Sequence, residues 1–156
     1  MNVDEAVRPL YTLQIAAELS GLSKYSIRQY IDKGLILPFK TKTNRNLFSE
    51  IDIKRLKKIQ ADLKENGLNI AGIKRVMSQT PCWLIKPCSE SEYSNCEAYS
   101  SSIQPCWEAK TKGSKCMETD CRTCNVYQLV ERIDDLKGLF KDPRIYGAIT
   151  SYNKYD

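Results

Sequence analysis

Gly21-Leu22-Ser23-Lys24-Tyr25-Ser26-Ile27-Arg28-Gln29-Tyr30-Ile31-Asp32-Lys33-Gly34 is the stretch on which the reading of this chain turns. Ser23 is placed to cap a helix running from Lys24 to Lys33, and Gly34 supplies its C-terminal stop. Tyr25 and Ile27 precede Tyr30 and Ile31, while Lys24, Arg28 and Gln29 fall on or beside the outer face. Upstream, Leu13, Ile15, Ala16, Ala17 and Leu19 recur on roughly one helical face, with Thr12 placed to cap the first turn. Ser20-Gly21-Leu22 then breaks that helix. Two short helices joined by a turn containing Gly make a helix-turn-helix, whose second helix usually enters the major groove of DNA.

Downstream, Leu35 to Phe48 runs apolar, then basic and polar, then apolar again, which predicts a small hairpin or wing with Lys40, Lys42 and Arg45 at its tip. Ser49-Glu50-Ile51-Asp52 is a capping-box start, with Asp52 in place of the usual Glu or Gln. Ile51, Ile53, Leu56, Ile59 and Leu63 predict the buried face of a helix to about Glu65, and Asn66-Gly67 ends it. A last short helix from Asn69 is expected to bury Ile70, Ile73 and Val76.

This order of parts resembles the winged-helix head of the MerR family of transcription regulators over residues 10–78. The matching residues are Tyr11-Thr12 with Ile15-Ala16, Gly21-Leu22-Ser23, Ser26 to Tyr30, Lys33-Gly34-Leu35-Ile36, Leu47-Phe48-Ser49-Glu50 and Asn66-Gly67 before Ile73. The resemblance implies that Ser23, Lys24, Tyr25 and Arg28 face DNA from the second helix and that Lys40, Lys42, Asn44 and Arg45 meet the backbone from the wing. It also implies activation by twisting a promoter with a long spacer, with RNA polymerase as a further partner. Gln29-Tyr30 and Arg45-Asn46 depart from the aromatic pair and the Tyr-Arg step usual in that family.

Charge and cysteine are partitioned along the 156 residues. Residues 1–80 hold 14 Lys and Arg against 8 Asp and Glu, whereas 81–156 hold 10 against 11, and all seven Cys lie from Cys82 to Cys124. The shift at Thr80-Pro81-Cys82 predicts a domain boundary. Met1 to Arg8 carries Asp4 and Glu5 and leads into no apolar segment, and no apolar run approaches the length that spans a bilayer, so a cytoplasmic protein without a membrane anchor is expected. An odd Cys count in a reducing compartment points to metal ligation or redox chemistry. The absence of His removes imidazole catalysis, Cys–His pairs and mixed Cys/His zinc fingers, and the chain is not expected to be an enzyme.

The cysteine half repeats itself. Pro81-Cys82-Trp83 leads through Cys88 to Cys96-Glu97-Ala98-Tyr99, and Pro105-Cys106-Trp107 leads through Cys116 and Cys121 to Cys124-Asn125-Val126-Tyr127. This pattern resembles the two-CW domain, a cysteine-rich module joined to bacterial regulatory proteins, over residues 81–127; the resemblance implies a sensory role and a thiolate-bound centre. The candidate ligands are Cys82, Cys88, Cys96, Cys106, Cys116, Cys121 and Cys124, of which only Cys121-x-x-Cys124 has the tight bite of a metal knuckle. Trp83, Trp107, Tyr99 and Tyr127 are expected to shield the centre. Three chemistries fit: an iron–sulfur cluster, preferred because the ligands are all thiolate and exceed four; structural zinc; and a thiol–disulfide switch.

Val126, Leu129, Val130, Ile133, Leu136 and Phe140 form a stripe with helical spacing, predicting an amphipathic helix that serves for homodimerisation or for covering the cysteine loops. Tyr146, Tyr152 and Tyr155 predict an ordered tail. The expected fold class is mainly α: a winged helix-turn-helix head (1–80), an irregular cysteine-rich metal-binding module (81–127) and a C-terminal amphipathic helix with tail (128–156). The expected function is a transcription regulator that binds double-stranded operator DNA as a homodimer and senses redox, oxygen or metal status through its cysteines. The alternative is an excisionase-like or adaptor DNA-binding protein with a purely structural zinc site.

Overall fold

The computed structural model describes residues 3–86, 88–130, 136–143 and 145–147. The chain divides into two compact units, 1–73 and 74–156, and the division falls within one helix. The described elements are mainly helical, with one small sheet. No helix among the described residues is long and apolar enough to cross a membrane.

The first unit holds α1 (Val3–Ala6), β1 (Tyr11–Thr12), α2 (Leu13–Ser20), α3 (Lys24–Asp32), β2 (Phe39–Lys40), β3 (Asn46–Phe48), α4 (Glu50–Lys64) and the start of α5 (Ile70–Ser78). Local chemistry sets these boundaries. The Thr12 hydroxyl accepts the Ile15 N–H at 3.4 Å and the Ser23 hydroxyl accepts the Ser26 N–H at 3.0 Å, each starting a helix one residue later. Gly21 and Gly34, at φ 71° and 73°, make the left-handed turns that stop α2 and follow α3. Ser49 donates its N–H (2.8 Å) and its hydroxyl (2.9 Å) to Asp52 Oδ2, and its oxygen accepts the Asp52 N–H at 3.3 Å, which completes the capping box of α4.

The sheet order is β1-β3-β2, antiparallel throughout, with Tyr11 opposite Phe48 and Phe39 opposite Leu47. The hairpin of β2 and β3 is the expected wing, and β1 adds a strand that the sequence pattern did not announce. The Tyr11 hydroxyl donates to Glu50 Oε2 at 3.1 Å, tying β1 to the first turn of α4. Ala16, Leu22, Ile27, Tyr30, Leu35, Ile36, Phe48, Ile51, Leu56, Ile59 and Ile73 are buried, with α2 packed on α3 and α4.

Three expected faces need correction. In α2, Ala16 and Ser20 are buried whereas Ile15 and Leu19 are exposed, because the inward arc of an eight-residue helix is too narrow for all five apolar residues. In α4, the buried arc includes Asp52, Arg55 and Asp62, while Leu63 is only partly covered. In α5, Met77 joins Ile73 as a buried residue where Val76 was expected.

The second unit is a chain of short turns: α6 (Cys82–Ile85), α7 (Glu90–Tyr93), α8 (Glu97–Ser100), a 3-10 turn at Cys106–Glu108, α9 (Ser114–Met117), a second 3-10 turn at Cys121–Thr123, α10 (Asn125–Val130) and α11 (Leu136–Lys141). Polar staples hold the loops. Glu97 accepts the N–H groups of Lys110 and Thr111 and the Gln104 amide, Lys74 pairs with Glu108 at 2.8 Å, and Lys115 pairs with Glu92 at 3.4 Å. Val126 is buried with Cys82, Cys96, Ala98 and Ala109, and Leu129 is buried with Ile145 against Ile85. These two members of the C-terminal stripe therefore cover their own unit. The middle of the expected helix, residues 131–135, and the tail at Tyr152 and Tyr155 lie outside the described residues.

Candidate nucleic-acid interface and thiol site

In the first unit, α3 and the wing present the eight residues assigned to DNA. Ser23, Lys24, Tyr25 and Arg28 are exposed at the start and on the outer face of α3, and Lys40, Lys42, Asn44 and Arg45 are exposed on the wing. Tyr25 is 70% exposed, which leaves its ring accessible on the outer face of α3. Two of the eight have structural work as well. Ser23 caps α3, and Asn44 takes the left-handed conformation (φ 59°) that the wing tip requires. The tip is held by the Thr41 N–H to the Arg45 carbonyl (3.0 Å), the Asn44 N–H to the Thr41 carbonyl (2.9 Å) and the Arg45 N–H to the Thr41 hydroxyl (3.0 Å). A tip fixed in this way holds the backbone that carries Lys42 and Arg45 in one shape, so less ordering is needed when they meet a phosphate.

A helix-turn-helix followed by a two-stranded wing, with cations on both outward elements, agrees with the comparison to known proteins. Residues 11–80 match the family described as MerR HTH family regulatory protein. Residues 11–80 are thus similar to MerR-type helix-turn-helix domains. The HTH-type transcriptional regulators GlnR of Bacillus anthracis and Bacillus cereus are each 43% identical over 77 residues, covering 49% of this chain and 59% of theirs. A Streptomyces coelicolor protein named for heat shock, HspR, is 39% identical over 69 residues, covering 44% of this chain and 46% of its own. The chain thus spans less than two thirds of the length of these relatives.

In the second unit, all seven Cys are free thiols. They line two cavities of about 20 Å³ each, room for about one water molecule. Cys82, Cys106, Cys116, Cys121 and Cys124 line the first; Cys82, Cys88, Cys96 and Cys116 line the second. Each repeat closes on itself through its aromatic pair. Trp83 meets Tyr99 edge-on at 4.9 Å between centroids and 80°, and Trp107 meets Tyr127 at 5.1 Å and 78°. Tyr93 stacks on Tyr99 at 4.5 Å. These rings border the cavities beside the thiols, Trp107 and Tyr127 on the first and Trp83, Tyr93 and Tyr99 on the second.

Burial pushes the Cys82 thiol up to about 12, helped by the neighbouring thiols of Cys116, Cys96 and Cys88. Burial likewise raises Cys106, with Cys82 and Cys124 adding to it, and also raises Cys88 and Cys116. A protonated thiol is a poor nucleophile, so burial slows thiol–disulfide exchange at Cys82. The donor set suits soft cations, which displace thiol protons and relieve the repulsion between thiolates. Among the described residues, however, no three ligand-type side chains already surround one point. Binding a metal therefore requires the sulfurs to move inward.

Two lysines that the sequence reading missed border the first cavity. Lys112 Nζ donates to Cys121 Sγ at 3.9 Å and to the Trp107 carbonyl at 3.2 Å. Lys86 Nζ donates to the Lys115 carbonyl (3.0 Å) and the Thr119 hydroxyl (2.9 Å), and its charge lowers the Cys116 thiol against the effect of burial. A positive charge beside sulfur is the usual partner of an anionic thiolate centre. Nothing in the spacing of Lys86 or Lys112 from the cysteines announces this.

Proposed function

We propose that this chain is a cytoplasmic DNA-binding transcription regulator that binds duplex operator DNA as a homodimer and carries in its cysteine-rich unit a thiolate-ligated metal centre reporting redox, oxygen or metal status. The observation that supports this most is the set of five exposed cations, Lys24, Arg28, Lys40, Lys42 and Arg45, on the two elements that a winged helix-turn-helix turns toward phosphate. The likeness to GlnR, a transcriptional regulator, supports it independently. In this reading α3 enters the major groove, Arg28 and Tyr25 reach its floor and walls, and the wing follows the backbone. A dimer matches half-sites one helical turn apart, and RNA polymerase is the partner through which operator binding changes transcription.

An iron–sulfur cluster is the first assignment for the centre and zinc the second. All-thiolate donors, an excess over four Cys and the cations at Lys86 and Lys112 support a cluster. When bound, such a centre supplies a redox state and a charge that thiols alone lack. The chain's own residues do the rest: Trp83, Trp107, Tyr99 and Tyr127 limit water at the sulfurs, and Lys86 and Lys112 offset negative charge. Sensing requires the loaded and unloaded chain to differ in DNA affinity. Enrichment of one duplex from a randomised pool by the full-length protein tests the reading. An Arg28→Ala/Arg45→Ala variant of unchanged circular dichroism is expected to lose that enrichment, and wild-type protein that enriches nothing above non-specific binding contradicts it.

A further inference from the structure

The thiols gathered by the second unit are too many for one tetrahedral ion, and they are distributed over two spaces. Each space draws on both repeats. The first cavity takes Cys106, Cys116, Cys121 and Cys124 from the second repeat and Cys82 from the first; the second takes Cys82, Cys88 and Cys96 from the first repeat and Cys116 from the second. Every cysteine of the chain faces one cavity or the other, and Cys82 and Cys116 alone border both.

Ligand counting then becomes informative. A closed thiolate site for a zinc-like ion uses four sulfurs. Two such sites with separate ligands need about eight, one more than the chain holds, whereas two that share one thiolate need about seven and two that share a pair need about six. Sharing requires sulfurs that can be drawn to both positions, and Cys82 and Cys116 are the two cysteines that line both cavities. Cavity size agrees, since about 20 Å³ in each has room for an ion. Charge agrees as well. Two divalent ions with the six thiolates that a shared pair requires leave about −2, which Lys86 and Lys112 beside the first cavity offset.

We propose that the cysteine-rich unit binds two thiophilic metal ions per chain, one in each cavity, with Cys82 and Cys116 between them as shared thiolate ligands. This rests on the metal-centre reading, taken in its second assignment of separate zinc-like ions in place of a cluster, and adds the nuclearity and the ligand sets. Each ion is completed by a cysteine from the opposite repeat, so loading the pair fastens the two repeats together. Losing it releases both at once, which makes a sharper signal than loss of one ion from one loop.

The test is an anaerobic titration of the metal-stripped full-length chain with ¹¹³Cd²⁺, followed by thiolate-to-metal absorption, ¹¹³Cd NMR and alkylation of the loaded protein. Expected are a break at two equivalents, two resonances in the sulfur-rich range that couple to one another, and at most one alkylated cysteine. Cys88→Ser is expected to weaken one ion at least about 100-fold and spare the other, Cys106→Ser/Cys124→Ser, which leaves three thiols at the first cavity, to do the converse, and Cys82→Ser/Cys116→Ser to weaken both. The wild-type titration stands without the variants, should any of them fail to fold. A single break at one equivalent with three alkylated cysteines overturns the two-ion inference and leaves a metal centre standing. No break, with all seven cysteines alkylated, overturns both. Metal and sulfide analysis of native protein separates the sources: two zinc, or two iron, with six or more protected thiols supports the inference, and four iron with sulfide and three free thiols overturns it.

Discussion

Salt dependence measures how many of the wing and α3 cations meet phosphate, and it can be worked out in advance. Lys24, Arg28, Lys40, Lys42 and Arg45 are exposed in each head, so a dimer has at most ten such contacts. At about −0.9 per neutralised phosphate, the slope of log K against log salt has a ceiling near −9 for the dimer. Lys42→Ala/Arg45→Ala removes four contacts from a dimer and flattens that slope by about 3.6. Extrapolated from 1 M salt, where the term vanishes, the variant binds up to about 4,000-fold more weakly at 0.1 M. Neither side chain is buried, so stability stays within about 0.5 kcal/mol of wild type. The assay is fluorescence anisotropy of a labelled duplex from 50 to 400 mM KCl, with Lys57→Ala, an exposed cation on α4, as the control. A slope that changes by less than one unit in the wing variant, or by as much in the control, refutes the assignment of the wing to phosphate.

Three further outcomes follow from packing and protonation. Asp52→Ala removes a buried acceptor of two hydrogen bonds from Ser49 and is expected to cost about 2–3 kcal/mol, read from the urea midpoint of the head's helical signal; a change below about 0.5 kcal/mol contradicts the capping box. Gly113→Ala places a Cβ 2.9 Å from the Glu92 carbonyl oxygen, so the loop must shift, and Trp fluorescence is expected to report destabilisation of about 1–3 kcal/mol, whereas an unchanged midpoint rules out that close approach. In metal-free protein Cys82, held near 12 by burial, is about 10⁻⁵ thiolate at pH 7, and because its pKa is raised its iodoacetamide labelling should climb about tenfold per pH unit up to pH 10. Peptide mass spectrometry that finds Cys82 among the fastest-labelled thiols at pH 7 contradicts its burial.

The head was legible because its boundaries are set by local chemistry. Thr12, Ser23 and Ser49 each satisfy backbone donors within three residues, and Gly21 and Gly34 fill left-handed positions, so residue type alone announces them. β1 was not legible, because two residues carry no alternation and their pairing with β3 is a long-range event. Asp52, Arg55 and Asp62 defied the helical-face argument, which places charge outward; Asp52 turns inward as part of the cap and Asp62 accepts bonds from Lys58 and Asn66. In the cysteine unit the sequence singled out Trp83, Trp107, Tyr99 and Tyr127 as shielding residues but not their pairing, and Trp83–Tyr99 and Trp107–Tyr127 meet at nearly equal distance and angle. Which cysteines face which cavity, and the placing of Lys86 and Lys112, depend on how irregular loops close, and no periodicity records that. The C-terminal stripe shows the same limit: spacing put Val126 and Leu129 on one face and left homodimerisation and cover of the cysteine loops both open, and in the fold these two pack within the cysteine unit.

The most direct test of the account takes one duplex enriched by metal-loaded protein and measures its affinity for the full-length chain twice under anaerobic conditions, once loaded and once after chelation. The account predicts a dissociation constant that differs by at least about tenfold between the two states, the coupling of about 1.4 kcal/mol that a working sensor needs. Equal affinity in both states, with the metal shown to be present and then absent, contradicts it.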